Sequence, residues 1–128
     1  MEFNAYKMDG LGNDFIIIDR RESSINLTKD KIIELGDRSN IGFDQIIFID
    51  KKKESSFPIK IFNSDGGEVS ACGNGSRCVA YLLGKNLNTK EIKLKTNNRV
   101  LNAKIVGNLK VELEMGKPLF SFEDIPLS

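Results

Sequence analysis

Histidine is absent from this 128-residue chain and cysteine occurs only twice, so the usual donor sets of a zinc site are missing. Cys72 and Cys78 share no ligand spacing, and no metal is expected. A disulfide between them is disfavoured as well. A six-residue step along a helix is a rise of about 9 Å onto faces about 120° apart, whereas a disulfide needs Cα atoms within about 7 Å. Neither sign of charge is in excess: 19 Lys and Arg stand against 18 Asp and Glu. A net charge of +1 argues against nucleic acid or an anionic membrane as partner. No apolar run approaches the length of a membrane span. The start Met1-Glu2-Phe3-Asn4 carries an acid and lacks the basic and apolar regions of a signal peptide, so a cytoplasmic location is expected. In that compartment Asn26-Leu27-Thr28 and Asn74-Gly75-Ser76 are chance sequons. No glycine run closes on Gly-Lys-Ser/Thr, which excludes a P-loop. Gly10-Leu11-Gly12-Asn13-Asp14-Phe15 begins like a dinucleotide fingerprint, but Phe15 stands in place of the third glycine and a strand follows.

What is present describes one ordinary globular domain, 40% hydrophobic and 29% charged, long enough to bury about two thirds of its unfolded surface. Alternation from Phe3 to Met8 predicts a first strand, and Asp14-Phe15-Ile16-Ile17-Ile18-Asp19 a second, buried on both faces. Thr28 reads as an N-cap and Ile32, Ile33 and Leu35 as one side of a helix over about Thr28 to Arg38 that covers a sheet. Strands follow at Gln45 to Asp50 and Pro58 to Asn63, separated by a solvated polar segment that includes Lys51-Lys52-Lys53. After a helix behind Cys72, three strand-like stretches run over Glu91–Thr96, Val100–Val106 and Leu109–Met115. Asn97-Asn98 and Gly107-Asn108 supply tight-turn residues between them, because Asn and Gly tolerate positive φ. The fold class is α/β with strands dominant, antiparallel at least at the end. Periodicity is lost from Phe120 to Ser128, as in a linker or domain boundary.

The chemistry concentrates at Ala71-Cys72-Gly73-Asn74-Gly75-Ser76-Arg77-Cys78. Val79, Ala80, Tyr81, Leu82 and Leu83 behind it read as an apolar helix for which Gly84 offers a stop. The first N–H groups of a helix have no intrahelical partner and its start carries partial positive charge, so a thiolate at Cys72 is favoured over a thiol. Gly73 and Gly75 have no Cβ to keep a substrate carboxylate away from those N–H groups. The structural alternative is a buried cysteine before an ordinary glycine-rich helix start, and Cys78 is read that way, as a core thiol. Asn13, Asn40, Asp44, Gln45, Asn63, Ser64, Asp65 and Asn74 stand beside glycines or at strand ends. Each singly is a turn former or cap, but several amides near a carboxylate-binding turn suit an amino acid, since Asn and Gln both donate and accept.

Four segments carry a resemblance. Lys7-Met8-Asp9-Gly10-Leu11-Gly12-Asn13-Asp14-Phe15, Ile41-Gly42-Phe43-Asp44-Gln45, Ile61-Phe62-Asn63-Ser64-Asp65-Gly66 and Ala71 to Cys78, in this order, resemble the N-terminal half of diaminopimelate epimerase. The resemblance implies a strand-rich mixed sheet wrapped around a central helix, with residues 1–116 as the domain and 117–128 leading toward a second half. It implies inversion of an α-carbon of LL-diaminopimelate to the meso form, for lysine and cell-wall synthesis, without cofactor or metal. Cys72 then falls on one of two catalytic cysteines, and Asn13, Gln45, Asn63, Gly73 and Asn74 on substrate-binding positions. Asp9 stands where family members commonly carry His. The second cysteine belongs to the other half, so the implied partners are diaminopimelate and either that half or a homodimer mate. The alternatives are a non-catalytic half-domain acting as a binding or assembly module, and another cofactor-independent isomerase of the same superfamily.

Overall fold

Isoleucine recurs through the strand-forming stretches of the first half of the chain, at positions 16–18, 46, 47, 49, 59 and 61, where a β-branched side chain packs well on a pleated surface. The computed structural model describes residues 4–10, 13–23, 25–37, 42–69, 73–96, 99–107 and 110–118. In it β1 (Asn4–Gly10), β2 (Asn13–Asp19), β3 (Gln45–Ile49) and β4 (Phe57–Asn63) are successive neighbours. β1 and β2 pair antiparallel, as do β3 and β4, but β2 and β3 are parallel. A parallel pair needs a crossover, and α1 (Lys29–Gly36) lies within it. The short β5 (Glu68–Val69) adds to β4 at Ile61 and Phe62, and β6 (Glu91–Lys95) pairs with β4 in parallel at Phe57 and Pro58. β7 (Arg99–Gly107) and β8 (Lys110–Pro118) follow antiparallel, completing an eight-stranded sheet.

The helix α2 (Gly73–Leu87) touches β1 and β8, the two ends of the strand order, so the sheet curls around it. Val79, Ala80 and Leu83 are at most 1% exposed and pack among Phe15, Ile17, Ile47, Ile61, Leu94 and Leu101. Burying a Leu, Ile or Phe side chain contributes about 1.5–3 kcal/mol, so this cluster dominates the stability. On the opposite sheet face Ile18, Ile46 and Phe48 meet Ile32 of α1 and Phe43. β2 is therefore covered on both faces, as its unbroken apolar run predicts. The mixed, strand-rich sheet around a central helix matches the expected fold class. Cys78 is half-buried at the margin of the α2 cluster.

Both helices end differently from the sequence reading. Thr28 caps α1 as expected, its Oγ1 accepting from Lys31 N–H at 3.1 Å, but the helix stops at Gly36 instead of reaching Arg38. Gly36 lies so close to the β4–β5 turn that a Cβ on it would meet Ser64 Cβ at 2.9 Å, and Asp37 is already extended. For α2 the correction runs the other way. Gly84 does not stop the helix, which continues to Leu87; Asn88, at φ 54°, makes the left-handed turn. Thr89 N–H then donates to the Gly84 carbonyl at 3.0 Å, the closing bond of a Schellman cap. Glycine is at 84 for a packing reason, since a Cβ there would meet Ile105 Cδ1 at 2.0 Å and the Thr89 carbonyl at 2.8 Å. β8 also runs past the expected end at Met115, to Pro118, which pairs with Arg99. β5 has no counterpart in the sequence reading. Gly107 pairs with Lys110, whereas Asn97, Asn98 and Asn108 lie outside the described residues.

Candidate active site

The starts of β2 and β3 and the end of β4 share one end of the sheet, because β2 and β3 are parallel and β4 opposes β3. That topology brings Gln45 and Asn63 directly opposite each other in register. Gln45 Nε2 donates to Asn63 Oδ1 at 2.9 Å, and both residues are half-buried. The bond takes one donor of Gln45 and the carbonyl of Asn63, so the pair still holds the amide donors of Asn63 and the carbonyl acceptor of Gln45. Such a pair has both polarities and no charge.

Asn63 is fixed from behind by a compact turn. Its N–H donates to the Gly67 carbonyl at 2.8 Å, its carbonyl accepts from Gly66 N–H at 2.9 Å, and Asp65 Oδ1 accepts from Gly67 N–H at 2.7 Å. Gly66 sits at φ +86°, and a Cβ on it would meet Lys29 Cγ at 2.5 Å, so the turn depends on glycine there. On the other side Asn13 opens β2 opposite Gly10. It stands two residues before Phe15, the partner of Gln45 in the parallel ladder, which places its backbone about 7 Å along the strand from that level. Asp44 joins these ends by hydrogen bonds to Asp14 and Ser64.

The helix start is the second component. Gly73 and Asn74 are the first two residues of α2, and its first turn contains no acidic side chain. No carboxylate within that turn therefore neutralises the positive end of the helix. Gly75 and Ser76 are buried, and Ser76 Oγ, fully enclosed, has no hydrogen-bond partner. Cys72, the residue expected to carry the chemistry, lies outside the described residues, as does Asn40. Three residues separate Val69 from Gly73, so the helix start, four steps along the chain, lies within about 14 Å of the end of β5, which pairs with β4 beside Asn63.

Of the predicted site residues, the structure joins Gln45 to Asn63 by a direct bond and places the backbone of Asn13 at the same sheet end. Gly73 and Asn74 it places at the helix start. A cavity of about 930 Å³ lies elsewhere, over β6, β7 and β8, lined by Lys52, Lys93, Lys104, Glu91, Glu112 and Glu114 among others. Its balanced charges and the absence of any predicted site residue from its wall set it apart from the amide pair. Among the described residues no group of three or more Cys, Asp or Glu is arranged to hold a metal ion.

Residues 5–121 match the family model of diaminopimelate epimerase. The chain belongs to the diaminopimelate epimerase family. Among curated relatives, the diaminopimelate epimerase of Pelagibacter ubique is 54% identical over 100% of this chain and 47% of its own length. That of Acidiphilium cryptum is 40% identical over 95% of this chain and 44% of its own length. The chain thus spans about half the length of the curated diaminopimelate epimerases it matches. A solved phenazine biosynthesis PhzC/PhzF protein from Clostridium difficile has a TM-score of 0.64 at 18% identity, covering 84% of this chain and 42% of that one. That likeness is one of fold.

Proposed function

We propose that this chain is the N-terminal half of a cytoplasmic diaminopimelate epimerase, carrying one of its two catalytic cysteines and part of its substrate site. The observation that carries the reading is the hydrogen-bonded Gln45–Asn63 pair, two uncharged amides on adjacent strand ends in a chain of this family. Ammonium and carboxylate groups on one substrate need acceptors and donors side by side, and such a pair supplies both. Asn13 joins them in reading the distal, non-reacting end of diaminopimelate. Residues 1–116 form the domain body; 117–128, whose first two residues complete β8, lead toward the second half.

In this mechanism the Cys72 thiolate removes the α-proton: the Cα–H bond breaks, an S–H bond forms, and the electron pair spreads into the α-carboxylate. The N–H groups of Gly73 and Asn74 at the start of α2 stabilise that developing charge more than they stabilise the ground state, which lowers the barrier. Inversion requires an acid on the opposite face, and the second half supplies it. Cys72 acts as base for one stereoisomer and as acid for the other. No cofactor takes part in the scheme. Among the described residues no helix is long and apolar enough to cross a membrane.

Titration of the ¹⁵N-labelled chain with meso-diaminopimelate tests the binding part. Expected are perturbations of the Gly73 and Asn74 amides and of the side-chain amides of Gln45 and Asn63. Perturbations confined to the charged cavity over β6 to β8, around Lys93 and Lys104, would reject the assignment.

A further inference from the structure

One residue that the proposed mechanism leaves unused holds all three strand ends. Asp44 Oδ2 accepts from Asp14 N–H at 2.8 Å, and Asp44 N–H donates to the Asp14 carbonyl at 2.9 Å. The Asp44 carbonyl in turn accepts from Ser64 N–H at 3.2 Å. Every partner adjoins a proposed site residue in sequence: Asp14 follows Asn13, Asp44 precedes Gln45, and Ser64 follows Asn63. Any amino acid except proline can make the two backbone bonds at position 44. The side-chain bond needs an acceptor of the right reach, and a carboxylate makes it charge-assisted. Parallel pairing of β2 with β3 begins at Phe15 opposite Gln45, so Asp14 lies just beyond the ladder and takes from the Asp44 side chain an acceptor that the ladder does not provide.

We infer that Asp44 is a positioning residue for the substrate amides. Its carboxylate fixes the offset between the starts of β2 and β3, and with it the spacing of Asn13 from the Gln45–Asn63 pair. The role in binding rests on the function proposed above; the clamp does not. A rigid offset matters because amides that must meet several polar groups of one ligand lose affinity when their spacing varies.

Asp44→Ala removes the acceptor, whereas Asp44→Asn keeps an acceptor of the same shape without the charge. Amide hydrogen exchange followed by NMR reads the clamp directly. In Asp44→Ala the Asp14 N–H is expected to exchange about tenfold faster or more, while Ile17 and Ile47 in the strand centres stay protected. The side-chain amide resonances of Gln45 and Asn63 are expected to move as well. Asp44→Asn is expected to bring the exchange back to within about threefold of the parent and the resonances to their original positions. If Ile17 and Ile47 also lose protection in Asp44→Ala, the smaller truncation Asp44→Ser carries the same expectations. Parent-like exchange at Asp14 together with parent-like Gln45 and Asn63 resonances in the truncated variant would overturn the inference. So would a failure of Asp44→Asn to restore them. A second arm measures meso-diaminopimelate binding, expected to weaken about tenfold in Asp44→Ala and to recover to within about threefold in Asp44→Asn. Absence of binding by the parent chain rejects the proposed function, and the exchange arm still decides the clamp.

Discussion

Gly84→Ala sets two physical effects of opposite sign against each other in the last turn of α2. Helix propensity alone favours alanine over glycine by about 1 kcal/mol. Against it stands the space: the new Cβ would meet Ile105 Cδ1 at 2.0 Å and the Thr89 carbonyl at 2.8 Å. Ile105 Cδ1 is the far end of a half-buried side chain and turns aside at modest cost. The Thr89 carbonyl is backbone, next to the N–H that closes the Schellman cap on Gly84, and relieving that contact displaces the cap. Overpacking of this kind costs about 1–3 kcal/mol, so the clash outweighs the propensity gain and a net destabilisation of about 1 kcal/mol is expected. Urea denaturation monitored by circular dichroism measures it, with an unchanged m-value marking a pure stability effect. Ile105→Val removes the Cδ1 methyl, so the double variant should show coupling of about 0.5 kcal/mol or more in the relieving direction. A stabilised Gly84→Ala would mean that α2 does not press against β7 at this point and would refute the reasoning.

Ser76→Ala removes a fully buried hydroxyl that has no partner and improves helix propensity, so it should stabilise the chain by about 1 kcal/mol in the same urea assay; a loss of stability would show that the hydroxyl is bonded. The Arg21 side chain donates to Asp19 through Nε at 2.9 Å and Nη2 at 2.7 Å, and this hydrogen bonding holds the Asp19 carboxyl below the ordinary carboxylate range. Because the folded value lies below the unfolded one, the contribution is complete above the ordinary range and is lost as pH falls through the folded value. Asp19→Asn should therefore lose stability near neutral pH and show a shallower acid-side decline in urea midpoint from about pH 5 downward, whereas an unchanged decline would contradict the pairing.

Much of the frame is legible in residue types. Phe15 to Ile18 are apolar without interruption because β2 is covered on both faces, and Thr28 announces α1 because a hydroxyl there caps an otherwise unpaired N–H. Where glycine is concerned the sequence is ambiguous, since the same residue serves a helix stop and a close contact. Only the approach of Ile105 in β7 decides that Gly84 is the second. β5 is two residues long and has no periodicity to read. For the candidate site, residue types able to bind a polar ligand are legible but their partnership is not. Gln45 and Asn63 meet because the β3–β4 register places them opposite, and that register depends on which apolar side chains face α2 across the whole sheet. Asp44 reads as one polar residue among several until its bond to Asp14 is placed, because its role depends on where the parallel ladder begins.

Inversion at the α-carbon tests the half-site account most directly. The chain is incubated with meso-diaminopimelate and formation of the LL isomer is followed by chiral chromatography, first alone and then mixed with the separately produced C-terminal half of the Pelagibacter ubique relative. The account predicts no inversion by the chain alone, inversion in the mixture, and loss of that inversion in Cys72→Ala. Cys72-dependent inversion by the chain alone, at the rate of the mixture, would contradict it.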